Sequence, residues 1–411
     1  MTSPKPAEAG SPLMRDHASR AAVGKEGAGR PSRLKKSAAL GARSGSIWEL
    51  ANPQLRELNV YEPGKPIEET ARELGVEPDE IVKLASNENP LGPSPKASEA
   101  MRVALENAHL YPDGGGFYLC KAIAAKLGLA PDNIVLGNGS NEVIEFLGHA
   151  FLNPDDDVIT SEHAFIVYKL LATAFAARMI EVPAPDFQQD LDAMLDAVTP
   201  KTRLIFIPNP NNPTGTLNSQ RNIDSFMSRV PENVIVVFDE AYFEFLNDPP
   251  DTLRYVRDGR NVVVLRTFSK IHGLAGLRVG YGVARSEFIE VLHKTRQPFN
   301  VNSIAHAGAL AALEDDAHLR ETKRVVDQGR AYLQEKLTEL KIEFVPAVAN
   351  FVMVNVGDGC AVFEQLLKRK VIVRPLKGYG LPEWIRISVG TMQENEKCIA
   401  ALREVTRSHK N

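Results

Sequence analysis

Lys270 lies in a sequence context that suits chemistry. It occupies the run RTFSKIHGLAGLRVG, directly after the strand-like NVVVLR, and several of its near neighbours are apolar, unlike those of an ordinary surface lysine. Once deprotonated, such an amine can form a Schiff base with an aldehyde. Two other polar motifs precede it: Asn212 lies in NPNNPTG, and Asp239 lies in VIVVFDEAY. Each residue alone also fits a structural role. The inference of a catalytic site therefore depends on all three residues sharing one pocket.

The region after residue 133 alternates between short apolar strands and amphipathic helices. Helical spacing occurs in NEVIEFLGHAFL and DLDAMLDAV, and strands are predicted at 134–137, 157–160, 178–182, 203–207, 234–239 and 261–266. This order predicts an α/β fold with a mostly parallel sheet covered on both faces. Ligands bind at the carboxyl ends of such strands. Because Ser140, Asn212, Asp239 and Lys270 all end or follow a predicted strand, we expect them at one site.

The composition favours a soluble globular protein of two domains, with 411 residues of which 44% are hydrophobic and 24% charged. Residues 81–300 are predicted to form the large domain. After residue 300, long helices are followed by FVMVNV, another helix, VIVRPL and WIRISVG, which predicts a smaller α+β domain over 301–411. Residues 47–80 are predicted to form an arm that contributes to the small domain.

The first 46 residues differ from the rest of the chain in composition and net charge. They are rich in Ala, Gly, Ser and Pro and carry a net charge of +6, against −10 for the remainder. This composition predicts a disordered basic extension. It also fits an organellar transit peptide, a tail that touches nucleic acid, or an upstream extension of a protein that starts at Met14. Without a transit function, we expect a cytoplasmic protein.

Composition argues against several other classes. The net charge of −4 gives no overall basic field for nucleic acid. No apolar run approaches the roughly 18–20 residues of a membrane span. The three cysteines, Cys120, Cys360 and Cys398, form no CxxC pair, so they favour a reducing compartment and disfavour a disulfide framework or a zinc site.

GNGSNE (137–142) follows a predicted strand and opens a helix, where backbone N–H groups favour a phosphate. It differs from the dinucleotide-binding fingerprint at its last position, because Glu142 would repel a pyrophosphate and instead complements the helix dipole. This difference disfavours a nicotinamide-dependent dehydrogenase. A glycine turn capped by Ser140 or Asn141 is the structural alternative.

Two further motifs suit the ring of a pyridoxal-phosphate cofactor. Asn212 either presents its amide N–H2 group to a ligand or forms an Asx-turn. Asp239 ends an apolar strand, so its carboxylate needs a partner, which is either a protonated pyridine nitrogen or the N-terminus of a following helix. Tyr242 is placed to donate to the phenolic oxygen of the ring.

The remaining candidates suit a phosphate, a ring face and an anionic substrate. Phe165 either stacks on the ring or belongs to the core. Arg374 and Arg386 lie in strand-like segments, where they either bind an anionic group of the substrate or are solvated at a sheet edge. Three residues around Lys270 could surround the phosphate of the cofactor: Thr267, Ser269 and Arg278.

From about Glu49 to its C-terminus the chain resembles the fold-type-I pyridoxal-phosphate aminotransferases, and among them it looks most like the histidinol-phosphate aminotransferases. The motifs that carry this resemblance, in family order, are VYEPGKP, KLASNENPLGPSP, LYPD, GNGSNE, NPNNPTG, FDEAY, TFSKIHGLAGLRVGY, VIVRPL and IRISVGT. NNPTG, DEAY and SK-x₇-R together are highly specific for the superfamily. The resemblance implies an enzyme of the fold-type-I α/β class that uses pyridoxal 5'-phosphate.

The resemblance also implies a role for each matching residue. Lys270 would carry the cofactor as an aldimine and then shuttle the proton, with Asp239 and Tyr242 as the other catalytic residues. Tyr111 would reach the cofactor phosphate of the neighbouring subunit, which implies a homodimer. The phosphate is expected to contact Ser140, Asn141, Thr267, Ser269 and Arg278. The ring is expected to contact Phe165, Asn212, Asp239 and Tyr242, and the substrate to contact Tyr61, Asn87, Arg374 and Arg386.

The resemblance implies transamination of histidinol phosphate with 2-oxoglutarate or glutamate, in histidine biosynthesis. Two arginines suit the phosphate of that substrate, but they would also suit the carboxylate of an amino acid. An aromatic or broad-specificity amino-acid aminotransferase is therefore the alternative. The motif HAFIVY departs from the usual family pattern, in which Pro precedes the aromatic pair. Two further interpretations remain: a phosphothreonine decarboxylase on the same fold, and a cofactor-binding regulator without turnover.

Overall fold

The computed structural model describes residues 46–56, 58 and 64–408. The predictions for residues 1–45 and for Tyr61 lie outside these residues. The chain divides into two units at Ala51, and the described part of the first unit holds a short 3-10 helix, Ile47–Glu49. Among the described residues, no helix has both the length and the apolar composition that a membrane crossing requires.

The second unit contains helices and strands in alternation. Its α-helices are α1 Ile67–Leu74, α2 Pro95–Leu105, α3 Phe117–Leu127, α4 Gly139–Phe151, α5 Val167–Ala174, α6 Leu191–Asp196, α7 Gln220–Met227, α8 Leu253–Arg257, α9 Ser286–Thr295, α10 Ser303–Leu313, α11 Asp316–Glu339, α12 Gly359–Leu367 and α13 Met392–Ser408. Its strands are β1 Val82–Lys83, β2 Ile134–Gly137, β3 Asp157–Ser161, β4 Arg178–Val182, β5 Thr202–Pro208, β6 Ile235–Asp239, β7 Val262–Thr267, β8 Gly280–Val283, β9 Phe344–Val345, β10 Phe351–Asn355, β11 Val371–Ile372, β12 Arg374–Pro375 and β13 Trp384–Ser388. Short 3-10 helices occupy Pro53–Arg56, Pro78–Glu80, Pro131–Asn133, Pro185–Phe187, Phe243–Phe245, Ala275–Leu277 and Lys377–Tyr379.

The central sheet has seven strands in the order β2-β8-β7-β6-β5-β3-β4. All neighbouring pairs are parallel except those made by β8, which runs antiparallel to both β2 and β7. Consequently β2, β3, β5, β6 and β7 all end at the same edge of the sheet. The predicted α/β class with a mostly parallel sheet is confirmed.

Both faces of this sheet are buried, as the apolar composition of its strands requires. Along β6, Val236 and Phe238 pack into the hydrophobic core on one face, while Ile235 and Val237 pack into the core on the other face. This alternation follows from the two-residue period of a strand. The sheet is therefore a rigid central layer, and its polar strand ends are presented outside both cores.

The C-terminal part of the unit builds a second sheet, in the order β12-β13-β10-β9, with its own core. All of its pairs are antiparallel. A separate parallel pair joins β1 to β11, and Ala71 of α1 packs with Ile81 and Ile372 beside it. The segment around VIVRPL thus contributes to two sheets, whereas the sequence predicted one strand-like stretch.

Two of the elements that the sequence analysis did not find affect the architecture. One is β8, whose short sequence GYGV carries two glycines and so lacks a strand-like composition. The other is α13, a polar helix of 17 residues at the C-terminus. The long helices predicted after residue 300 are confirmed as α10 and α11.

Candidate active site

An open pocket of about 660 Å³ lies at the edge where the parallel strands end. It brings together ten of the predicted cofactor-binding residues, and Tyr111 is not among its lining residues. The residues that line it are Gly139, Ser140, Asn141, Phe165, Tyr168, Pro208, Pro210, Asn212, Asp239, Ala241, Tyr242, Thr267, Ser269, Lys270 and Arg278. Because these come from five different strand ends and the loops after them, the sheet topology itself assembles the pocket.

The N-terminus of α4 forms one end of the pocket. The helix begins at Gly139, so Ser140 and Asn141 lie in its first turn with free backbone N–H groups, and neither is the capping residue. The alternative that one of them caps the helix is therefore wrong. Glu142 turns back and accepts hydrogen bonds from the Asn138 backbone nitrogen (2.7 Å) and from Asn300 Nδ2 (2.6 Å). Its charge thus supports the turn, and the helix N-terminus remains an anion-binding surface.

Two glycines allow the close packing at this end. Gly139 has φ = 70°, and a Cβ there would lie 2.7 Å from Arg278 Nη2. A Cβ on Gly280 of β8 would lie 2.5 Å from the backbone nitrogen of Ser140. A side chain at Gly139 would displace the Arg278 guanidinium, and one at Gly280 would push the first turn of α4 away from the pocket.

Hydroxyl and guanidinium groups extend the same surface. Ser269 donates its backbone N–H to Thr267 Oγ1 at 3.1 Å, and Arg278 Nη1 donates to Ser269 Oγ at 3.3 Å. Arg278 adopts a left-handed conformation with φ = 55°, which turns the chain back towards α4. Two hydroxyls, one guanidinium and the helix N-terminus therefore converge on one end of the pocket, as a phosphate group requires.

Asp239 ends β6 and lies inside the pocket with only 5% of its surface exposed. Its Oδ1 accepts from the backbone nitrogen of Ala241 at 3.2 Å, and its Oδ2 accepts from the hydroxyl of Tyr168 at 2.7 Å. Burial raises the pKa of Asp239 to about 6. A cationic partner in the pocket would counter this effect and hold the carboxylate ionised.

Tyr168 is a polar side chain of the pocket that the sequence analysis missed. It is fully buried, and its ring stacks on Phe206 with centroids 4.4 Å apart. Phe165, at the expected position in the wall, meets Tyr168 edge to face. The signal in the sequence was the three-residue spacing of these two aromatic residues in FIVY; the structure places Phe165 just before α5 and Tyr168 in its first turn.

Lys270 follows β7 and projects into the pocket. Its Nζ donates to the carbonyl oxygen of Ser86 at 3.2 Å and lies 5.6 Å from the centre of the Tyr242 ring. Burial, assisted by the nearby charge of Arg386, lowers the pKa of Lys270 to about 8. An appreciable fraction of the amine is therefore unprotonated near neutral pH, as nucleophilic chemistry requires.

Arg386 and Asn212 connect the C-terminal sheet to the pocket. Arg386 Nη1 donates to Asn212 Oδ1 at 2.5 Å, and its Nη2 donates to the carbonyl oxygen of Ala85 at 2.7 Å. Since the oxygen of Asn212 is engaged, its amide N–H2 group is the part that faces the pocket. Arg374 lies beside Arg386 in the strand register, on the adjacent β12.

Asn87 and Tyr242 form a second connection between the C-terminal sheet and the pocket. Asn87 Nδ2 donates to the Tyr242 hydroxyl at 2.9 Å, which leaves the phenolic proton free to point elsewhere. Burial raises the pKa of Tyr242 to about 12, so this hydroxyl keeps its proton at neutral pH. Ser388 holds Asn87 in place, because it accepts from the Asn87 backbone nitrogen and donates to Asn87 Oδ1, both at 2.8 Å.

Tyr111 lies outside this cluster. Its side chain is 84% exposed and stacks on Phe299, with ring centroids 4.8 Å apart. Within one chain it lines no part of the pocket. Any contact with a cofactor would therefore come from a second copy of the chain, as the resemblance implies.

A mostly parallel seven-stranded sheet, with a lysine and a buried aspartate sharing the pocket at its strand ends, defines the architecture of the fold-type-I aminotransferases. Residues 79–402 match the family described as aminotransferase class I and II. This chain belongs to that family.

Individual relatives show which aminotransferases this chain is similar to. The chain is 54% identical over 361 residues to a histidinol-phosphate aminotransferase of Akkermansia muciniphila, spanning 88% of this chain and 99% of the relative. It is 47% identical over 361 residues to the protein of the same name from Moorella thermoacetica, spanning 86% and 93%. The solved histidinol-phosphate aminotransferase of Sinorhizobium meliloti, in complex with pyridoxal-5'-phosphate, has a TM-score of 0.80 and 28% identity, over 90% of this chain and 100% of that one.

Proposed function

We propose that this chain is a pyridoxal 5'-phosphate-dependent transaminase that exchanges an amino group between histidinol phosphate and 2-oxoglutarate or glutamate. The observation that carries the proposal is the Lys270 amine, with its pKa lowered to about 8, in the same pocket as the buried Asp239. The names of the relatives, at 46–54% identity over most of the chain, supply the substrate.

The residues of the pocket fit this cofactor. Its phosphate suits the N-terminus of α4, and its ring nitrogen suits the carboxylate of Asp239. Phe165 offers a face for the ring, while the amide of Asn212 and the hydroxyl of Tyr242 offer donors for the ring oxygen. When bound, the cofactor supplies an aldehyde and a ring that withdraws electrons from the carbon being deprotonated.

Lys270 then acts as the base and acid of the reaction. With the cofactor held in the pocket, its amine would take the proton from the substrate carbon that bears the amino group, and the protonated amine would later give that proton back. Because burial lowers its pKa, the amine is available as a base near neutral pH. The carbonyl oxygen of Ser86, 3.2 Å away, orients the amine.

The substrate is assigned to the side of the pocket that the C-terminal sheet borders. Arg386 and Arg374 lie opposite each other in strand register, and two guanidinium groups suit a phosphate of charge near −2. Asn87 and Tyr61 complete the proposed substrate set. Arg386 also touches Asn212, so substrate and cofactor contacts are joined by one hydrogen bond.

The proposal includes a domain division and an assembly. We assign residues 81–300 to a large cofactor-binding domain, residues 301–411 to a small domain and residues 47–80 to an arm of the latter. The pairing of β1 with β11 and the packing of α1 beside it support the arm. We also propose a homodimer in which Tyr111 reaches the cofactor phosphate of the other subunit.

Two measurements test the function. Purified protein should show the absorbance band of the lysine-bound cofactor at about 400–430 nm, and Lys270→Ala should lose both this band and turnover, because no other amine replaces it. The surface variant Lys294→Ala is the control and should keep both the band and turnover.

The second measurement compares substrates. With 2-oxoglutarate, kcat/KM for histidinol phosphate should exceed that for phenylalanine. If phenylalanine is preferred, the chain is an aromatic aminotransferase and the substrate assignment fails.

A further inference from the structure

We propose that Tyr168 is a positioning residue for the reaction: its hydroxyl, held on Asp239, keeps that carboxylate ionised and aimed at the ring nitrogen of the cofactor. This inference rests on the proposed function. It concerns a side chain with no direct role in the chemistry, which acts through Asp239.

The geometry of the pair is the first support. The Tyr168 hydroxyl donates to Asp239 Oδ2 at 2.7 Å, and the backbone nitrogen of Ala241 donates to Oδ1 at 3.2 Å. Each carboxylate oxygen therefore has one fixed donor and retains a lone pair for a ligand. Two donors on two oxygens also fix the plane of the carboxylate, so its orientation is set before any ligand binds.

The position of Tyr168 is itself fixed. Its ring lies flat against Phe206 of β5, with an interplanar angle of 9°, and Phe165 closes on it edge to face at 5.8 Å. Tyr168 is fully buried, and Asp239 is 5% exposed. Water therefore has little access to replace the hydroxyl, and the hydrogen bond is made at low local dielectric, where it has its largest effect.

The other charged and titratable groups around Asp239 are few. Glu240 follows it in the chain and raises its pKa, Lys270 lowers it, and burial is the largest cause of its displacement to about 6. Tyr242 keeps its proton and is neutral. Tyr168 provides the largest opposing effect, since its hydrogen bond favours the ionised carboxylate.

Without the hydroxyl, a buried carboxylate beside Glu240 would hold its own proton more strongly. The ring nitrogen would then face a neutral acid instead of an anion, and it would lose the partner that keeps it protonated. An unprotonated ring withdraws electrons less strongly, so the proton transfer at Lys270 would slow. The hydroxyl of Tyr168 thereby links the first turn of α5 to the electronics of the cofactor.

The test uses Tyr168→Phe, which removes the hydroxyl and keeps the ring that packs on Phe206. In the cofactor-free protein, the pKa of Asp239 should rise by about one unit, measured by NMR titration of labelled aspartate carboxyls. In the loaded protein, ¹⁵N-labelled cofactor should show a ring nitrogen that loses its proton at a lower pH than in the wild type. Turnover with histidinol phosphate should fall through kcat more than through KM.

A matched control is Tyr255→Phe, because the Tyr255 hydroxyl also donates to a carboxylate, that of Asp224, outside the pocket. This variant loses the same kind of hydrogen bond and should change neither the Asp239 titration nor the ring-nitrogen signal. Replacing Tyr168 with 3-fluorotyrosine makes the hydroxyl a stronger donor. It should shift the pKa of Asp239 downwards, which gives an effect of opposite sign if Tyr168→Phe does not fold.

The outcomes separate this inference from the proposed function. If the wild type forms no Lys270-dependent absorbance band, the proposed function fails. If the band forms, but neither Tyr168→Phe nor the fluorinated variant shifts the Asp239 titration and the ring nitrogen titrates as in the wild type, the positioning role of Tyr168 is wrong. Shifts of opposite sign in the two variants establish it.

Discussion

Burial displaces the two central groups of the pocket towards their neutral forms. The pKa of Asp239 rises to about 6, and that of Lys270 falls to about 8. The pocket therefore suits a ligand that has a cationic group next to Asp239 and an electrophilic group next to Lys270. These two displacements need residues far apart in the sequence to pack together, so no local motif could have predicted them.

The raised pKa of Asp239 predicts a pH-dependent stability for the cofactor-free protein. Its folded-state pKa lies above the ordinary value of 3.8, so its contribution is fully present below that value and is lost as the pH rises through about 6. Relative to Asp239→Asn, the wild type should lose on the order of 3 kcal/mol of unfolding free energy between about pH 4 and about pH 8. Urea denaturation at several pH values measures this difference. A flat difference for Asp239→Asn would contradict the prediction.

At the scale of elements, a buried ion pair joins the end of β6 to β7. Arg266 donates to Glu240 Oε2 through Nε (3.0 Å) and Nη2 (2.8 Å), and its guanidinium lies 3.5 Å from the centre of the Phe243 ring. Both partners are almost fully buried. Because Glu240 adjoins Asp239 and Arg266 lies near Lys270 in the chain, this pair holds together the two strands that carry the chemistry.

Breaking this pair should therefore be costly. Arg266→Met leaves Glu240 buried without its partner, and it should lower the unfolding free energy by about 3–5 kcal/mol. The double variant Arg266→Met, Glu240→Gln removes the uncompensated charge and should recover more than half of the loss. As a control, Arg324→Met breaks an exposed pair with Glu321 and should leave the unfolding free energy nearly unchanged, because water screens exposed charges. A double variant no more stable than Arg266→Met would argue against a buried charge as the cause.

The contact between β8 and α4 predicts a different kind of defect. Gly280→Ala places a Cβ 2.5 Å from the Ser140 nitrogen, so the first turn of α4 must move. Overpacking of this kind costs about 1–3 kcal/mol, and binding of pyridoxal 5'-phosphate should weaken by roughly tenfold. Gly276→Ala, in open space on the preceding segment, should bind the cofactor normally. Equal affinities of the two variants in a fluorescence titration would show that the turn does not depend on this glycine.

The elements of the fold were predicted from the sequence where their periodicity was strong. The strands β2 to β7 were predicted because short, largely apolar runs alternate with helical segments, and the polar residues after several of these strands indicated the pocket. The strand β8 could not be found, since its glycines serve the close approach to α4 and carry no strand signal. Tyr168 was missed for a related reason: its partner Asp239 is 71 residues away, and only the folded sheet brings them together.

At the scale of the whole molecule, the pocket depends on contacts between distant parts of the chain. The hydrogen bonds of Asn87 with Ser388 and of Arg386 with Ala85 each span 301 residues. They attach the C-terminal sheet to the loop before α2, and Arg386 continues the connection to Asn212. The sequence predicted Asn87 and Arg386 as substrate contacts, but it could not predict their hydrogen bonds to Ser388, Ala85 and Asn212.

The exposed apolar segment around Tyr111 gives the last prediction. Leu110, Tyr111, Phe117 and Tyr118 are each more than half exposed, which is unusual for neighbouring large apolar side chains. If a second copy covers them, Phe117→Asp should convert the dimer to monomers, because a buried unpaired carboxylate is strongly unfavourable.

Cofactor affinity should fall with the dimer, since Tyr111 would no longer reach the neighbouring phosphate. Sedimentation velocity and a cofactor titration on the same samples measure both effects. Met392→Asp is the control, because Met392 is an exposed apolar residue at the start of α13 and its substitution should leave the dimer intact. A Tyr111→Phe variant separates the two causes: it should remain a dimer and still bind the cofactor more weakly. A monomeric Phe117→Asp variant with wild-type affinity would show that each chain completes its own site without Tyr111 from a second copy.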